Sequence, residues 1–222
     1  MIKNRTIQLI YLSAACALGI IGVLASVGFF EYFYRWDFYI YFTNISNYFC
    51  IIIFFIELIH TAKKNEDSYI NTLPVLKFVG MMGILLTFIV FNFMLGPGRK
   101  IKENFAIDSV ILHVVLPIVY TLDWVLFYEK GKTNWKYPLY ALSLPLAYLA
   151  YIIIHAAIHN FDHTIKSLNG YSPLIYPYFF IDFHQLGITG VLQWMGIIAL
   201  GMILMGYLIF LIDKTIKKIM KK

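Results

Sequence analysis

Charge and cysteine are both scarce in this chain. Of its 222 residues, only 14% are Asp, Glu, Lys or Arg, where a soluble domain of ordinary composition carries about a quarter. That scarcity excludes a conventional water-soluble globular protein. The two cysteines, Cys16 and Cys50, lie in apolar runs, so neither a disulfide framework nor a thiolate metal site is indicated. Arginine is rarer than lysine, three against fifteen. With abundant Ile, Phe, Asn and Tyr, this usage suggests an AT-rich genome and a low-GC bacterium. Internal repeats, linkers and polar stretches long enough for a soluble domain are also missing, so residues 1–222 are expected to form one domain.

What remains is 60% hydrophobic and 18% aromatic, with a mean hydropathy of +0.73. This composition belongs to a polytopic membrane protein. The net charge of +6 is scattered through short loops, where it reads as a topology signal; no nucleic-acid partner is expected.

The expected fold is all-α, with six transmembrane helices at about residues 7–30, 39–61, 73–95, 106–127, 137–158 and 188–212, each near the ~20 residues that cross a bilayer. The first follows Lys3 and Arg5 as a signal peptide would, but its apolar run continues to Phe30. It reads as an uncleaved span. With the N-terminus inside, the inner segments hold Lys3, Arg5, Lys63, Lys64, Lys130, Lys132, Lys136 and five lysines from Lys214 onward; the outer segments hold Arg35, Arg99, Lys100, Lys102 and Lys166. Lys77 falls near the inner end of span three. The bias predicts cytoplasmic N- and C-termini in the cell membrane.

Polar residues interrupt the second span in "YFTNISN", residues 41–47. Span two runs outside to inside, so Thr43 lies roughly 6 Å, and His113 on span four roughly 10 Å, below the outer boundary at about 1.5 Å per residue. Asn92 near the outer end of span three, His155 near that of span five, Asp108 at the start of span four, and Asp182 and His184 before span six fall in the same leaflet. The inner half carries Glu57, His60 and Asp123. Intramembrane polar groups face the bundle interior, and ionisable ones are functional-site candidates. Thr43, Ser46, Asn47, Cys50, Phe54 and Glu57 follow three-four spacing and share one stripe, with Asn44 to its side. Any one of these residues alone reads as interhelical glue, worth about 0.6 kcal/mol per contact. Their gathering in one leaflet points to a site.

Pro117 lacks an N–H, so the carbonyl of His113 loses its usual donor and span four is expected to kink there. A neutral imidazole beside that opening could act as a general base. "HAAIHNFDH" spaces His155, His159 and His163 four apart, as metal ligands are spaced, with His184 as a further candidate; a loop or surface role is the competing reading. Asp108 either orients an imidazole or caps span four. Asn92 reads as a helix-end residue. The segment "YSPLIYPYFFIDFHQL", residues 171–186, fits either an outer interfacial belt or an inward dip.

Taken together, "YFTNISN", "LHVVLPIVYTLDW", "LAYIIIHAAIHN" and "YPYFFIDFHQLG" resemble the androgen-induced-gene and androgen-dependent TFPI-regulating membrane proteins of animals, whose bacterial relatives are called Pr-six-Pr membrane proteins. The animal members are similar to threonine hydrolases that cleave fatty acid esters of hydroxy fatty acids. The resemblance implies a lipid-ester substrate met in the membrane, with Thr43 as nucleophile and His113 as base, and no metal or organic cofactor. Asn44 or Asn47 could donate to the oxyanion, with Ser46, Asn92, Asp108, His155 and His184 as further substrate-binding candidates. Three rival expectations use the same residues: lipid or small-molecule binding or transport without turnover, haem held by His113 and His155, and zinc held by His155, His159 and His184.

Overall fold

The computed structural model describes residues 1–32, 34, 35, 37–161 and 175–220, without the side chains of residues 160 and 161. Expectations placed on His163, Lys166, residues 171–174 and the last two lysines lie outside the described residues. Six helices are long and apolar enough to cross a membrane: α1 (Arg5–Ser26), α2 (Phe42–Ala62), α3 (Pro74–Gly98), α4 (Ile107–Phe127), α5 (Tyr137–His159) and α6 (Phe183–Met220). Among the described residues there is no strand, only an isolated bridge between Ile70 and Tyr128.

Several boundaries move from their expected places. α1 stops at Ser26 because Gly28 adopts a left-handed conformation (φ 84°), which suits a residue without a Cβ. The chain then makes short 3-10 turns at Phe29–Glu31 and Phe38–Ile40 before α2 begins at Phe42, three residues later than expected. α6 is much longer than expected, running from Phe183 to Met220, with a non-helical joint at Gly187. Asp182 caps its start, accepting from the backbone N–H groups of His184 (2.9 Å) and Gln185 (3.1 Å), two of the donors every helix start leaves open.

Successive helices alternate in direction. Arg5 at the start of α1 donates to the carbonyls of Thr61 (3.1 Å) and Ala62 (2.8 Å) at the end of α2. Past the end of α4, the backbone N–H groups of Gly131 and Thr133 donate to Asp213 near the end of α6. The Ile2 N–H donates to the Leu126 carbonyl at 2.8 Å, joining the start of α1 to the end of α4, so both chain ends lie at one end of the bundle, called here the terminal end. The core lies among α1 to α4, around Leu12, Cys50, Phe54, Met82, Leu116 and Tyr120, all fully buried. Close approach matters more than apolar area here, since lipid tails are as apolar as the side chains they would replace. A Cβ on Gly22 would come within 2.7 Å of Leu112, so glycine lets α1 and α4 touch.

Lys77, which the sequence counts near a loop, is fully buried between Glu57 and Asp123. The expected kink at Pro117 takes a more specific form. α4 widens into a π-helical turn over Ile111–Val115 just before the proline. α3 does the same over Val90–Leu95. Such turns gather at functional sites.

A candidate active site at the far end of the bundle

In a π turn a carbonyl looks five residues ahead for its donor. For Leu112 that residue is Pro117, which has no N–H, and Pro117 equally fails His113 by α-helical spacing. Side chains from neighbouring helices supply the donors. Asn47 on α2 donates to the Leu112 carbonyl at 3.1 Å. Asn92 on α3 donates to the His113 carbonyl at 3.2 Å. Each asparagine also donates within its own helix, Asn47 to Thr43 (2.7 Å) and Asn92 to Phe88 (2.8 Å). Asn92 is therefore more than a helix-end residue: it braces the turn that carries the histidine.

His113 is fixed on two further sides. Its ring stacks on Phe91 of α3, with centroids 3.5 Å apart and planes 17° from parallel. Its Nδ1 lies 2.9 Å from the Ser109 carbonyl oxygen. A carbonyl can only accept, so Nδ1 carries the hydrogen and Nε2 holds the lone pair. The imidazole is thus set in the tautomer a general base needs.

Thr43 and His113 line one cavity of about 580 Å³ at the far end. Thr43 is the second residue of α2, where backbone N–H groups have no helical partner and the helix dipole favours negative charge. Its own N–H donates to the Tyr178 hydroxyl at 3.4 Å. Tyr178 arrives from the segment before α6. Within that segment Tyr178, Phe180 and Ile181 are buried against Ile40, Phe42, Tyr148 and Ile152. Burial pushes the Tyr178 phenol above its ordinary pKa, which keeps it an O–H donor.

The mouth of the cavity is ionic. Arg35 pairs with Asp108 at 2.6 Å and with Glu31 at 2.8 Å. Burial works against the guanidinium, but the two carboxylates outweigh it and hold Arg35 above its usual pKa. Asp108 thus answers Arg35, rather than orienting the imidazole or capping α4 through its side chain. Asp37 and Arg99 also line the cavity; Tyr41 donates to Asp37 at 3.2 Å. A second, narrow apolar pocket of about 50 Å³ adjoins the first between α2, α3, α5 and α6. Thr43, Phe91, Leu95 and Tyr178 belong to both linings, so the threonine sits where polar and apolar spaces meet.

The structure brings Thr43, Asn44, Asp108 and His113 to this cavity. Ser46 faces α3 instead, within 2.8 Å of the Thr87 hydroxyl. Asn47, with both amide hydrogens on carbonyls, has none left for an oxyanion. Asn44 donates one hydrogen to the Phe38 carbonyl at 2.6 Å and keeps the other. His155 is buried outside this lining, beside the rings of Tyr39, Tyr151 and His159. His184 is exposed against Tyr176. His113 and His155 therefore do not share the cavity lining, and among the described residues no three His, Cys, Asp or Glu side chains gather as metal ligands would. Sequence reasoning missed Tyr178 and Arg35. A tyrosine in an aromatic segment carries no periodic signal, and an arginine in a loop reads as topology.

Comparison of the chain with protein-family models, with curated proteins and with solved structures returns no match; the family resemblance rests on the quoted motifs alone.

Proposed function

We propose that the protein is an intramembrane hydrolase of lipid esters, with Thr43 as nucleophile and His113 as base. The observation that supports this reading best is the shared cavity: a threonine at a helix start and a histidine of defined tautomer, from two different spans, line one space that adjoins an apolar pocket. A threonine hydroxyl attacks an ester only if its proton is taken as it attacks. Nε2 of His113 accepts that proton. The tetrahedral oxyanion takes hydrogen bonds from the Tyr178 hydroxyl and the free amide hydrogen of Asn44, donors already in place before the reaction. Collapse expels the alkoxide, which His113 protonates, and leaves the acyl group on Thr43. Water, activated by the same histidine, then hydrolyses the acyl-threonine. The acyl chain extends into the apolar pocket, and the alcohol portion faces the ionic mouth.

The test is a panel of lipid esters, including an ester of a hydroxy fatty acid, offered to purified protein in detergent. Fatty-acid release should be lost in Thr43→Ala, and mass spectrometry should find the acyl group on the peptide bearing Thr43. A binding or transport protein gives another pattern: no turnover by the wild type, and graded affinity losses over Thr43, Asn44 and His113. That pattern would return the site to a binding role.

A further inference from the structure

The terminal half of the bundle holds a second cluster that the ester chemistry does not use. Glu57 of α2, Lys77 of α3 and Asp123 of α4 have no solvent exposure. Around them lie Cys16 of α1, Cys50 of α2 and Tyr120 of α4, with Tyr128 just past α4. Tyr11 of α1 and Lys130 in the following loop also feel Asp123. Lys130 spends its ammonium on the Trp124 carbonyl and ring, so within the cluster two carboxylates and one ammonium, all ionised, would leave a negative charge in excess among side chains with no solvent exposure, which is strongly unfavourable.

Hydrogen accounting locates the remedy. Tyr128 has one hydroxyl hydrogen and two close oxygens, the Thr72 carbonyl at 2.6 Å and Glu57 Oε1 at 2.5 Å. The carbonyl can only accept, so the phenol hydrogen goes to Thr72. The contact with Glu57 then needs a hydrogen on the carboxyl. Glu57 Oε2 accepts from Lys77 at 3.0 Å, so both oxygens of a protonated Glu57 are satisfied. Asp123 offers no such arrangement. It pairs with Lys77, and neither of its oxygens has another hydrogen-bond partner among the described residues, so a protonated Asp123 would have nowhere to donate. Lys77 completes its set against the Tyr120 ring, 3.8 Å from the centroid.

We infer that Glu57 binds a proton in the folded protein, making the Glu57–Lys77–Asp123 cluster a neutral, proton-loaded lock across α2, α3 and α4. The inference is independent of the hydrolase reading. It gives the terminal half a ligand of its own: release of the proton would leave Glu57 charged and unmatched, and the three helices could accommodate it only by admitting water between them.

Infrared spectroscopy of the wild-type protein in lipid bilayers at neutral pH tests this. The carbonyl stretch of an un-ionised carboxylic acid should be present. It should shift when the glutamates carry carbon-13, and stay in place when the aspartates do. Variants supply a second readout. Glu57→Gln keeps an acceptor for Lys77 and a donor for Tyr128, so its thermal midpoint should stay near that of the wild type. Asp123→Asn strands the Lys77 charge and should lower it severely. Absence of the acid band, a shift on aspartate labelling instead, or the reverse order of stability in the two variants would each overturn the inference.

Discussion

The side-chain amide of Asn92 donates to the backbone carbonyl of His113 across 3.2 Å, from one membrane-spanning helix to the next. Pro117, four residues ahead, withholds from that carbonyl its α-helical donor. Asn92→Leu should therefore be more harmful than loss of an average interhelical hydrogen bond, about 0.6 kcal/mol, since α-helical spacing offers that carbonyl no donor; a stranded buried acceptor costs about 1–3 kcal/mol. Unfolding in mixed detergent measures it. A change within error of the wild type would show that the π turn satisfies His113 without Asn92.

Catalysis predicts a characteristic non-additivity. Thr43→Ala and His113→Ala should each remove most ester turnover, and the double variant should be little worse than either, because the two act as one unit. Thr43→Ser keeps the hydroxyl and should retain part of the activity. Multiplying losses in the double variant would argue that the two residues act separately.

Tyr178→Phe removes one proposed oxyanion donor while preserving the ring packed against Phe180, with planes 5° from parallel. The expected loss is about 10²–10³ in kcat, with KM little changed. A rise in KM at constant kcat would instead make Tyr178 a ground-state binding contact.

Lys130 gives a pH dependence with a definite sign. It lies outside the spans, its ammonium 3.4 Å from the centre of the Trp124 ring, and burial pushes its pKa down to about 8. Below that pH the folded and unfolded states both carry the proton and the burial penalty is fully present. Between about pH 8 and the ordinary lysine value near 10.4, the unfolded state binds more protons, so this residue makes stability rise with pH. Lys130→Met should abolish that component. Thermal midpoints of the two proteins across this range, compared as a difference, check it.

The lysine distribution predicts cytoplasmic termini. The contacts of Ile2 with Leu126 and of Gly131 with Asp213 already put both termini at one end; tag accessibility in intact cells tells which side of the membrane that is. Labelling of either terminus from outside would reverse the orientation and move the cavity to the inner leaflet.

By itself the sequence determined six helices long and apolar enough to cross a membrane, because ~20 apolar residues in lipid have no other way to satisfy their backbone. Helical spacing also put Thr43, Ser46, Asn47, Cys50, Phe54 and Glu57 on one stripe of α2, of which all but Thr43 are buried. It could not say which polar groups would face each other. That depends on helix rotation and depth, set by contacts distant in sequence. Asn47 looked like a catalytic donor until α4 brought it an orphaned carbonyl. Asp108 was open to two readings, orienting an imidazole or capping span four, yet its side chain pairs with an arginine from a loop. Tyr178 had no pattern to announce it, since its segment is irregular and its partner Thr43 lies 135 residues away. Lys77 read only as a residue near the inner end of span three, and only the packing of α2, α3 and α4 enclosed it with two carboxylates. Span number follows from local composition, whereas a site is a coincidence of side chains that only tertiary packing brings about.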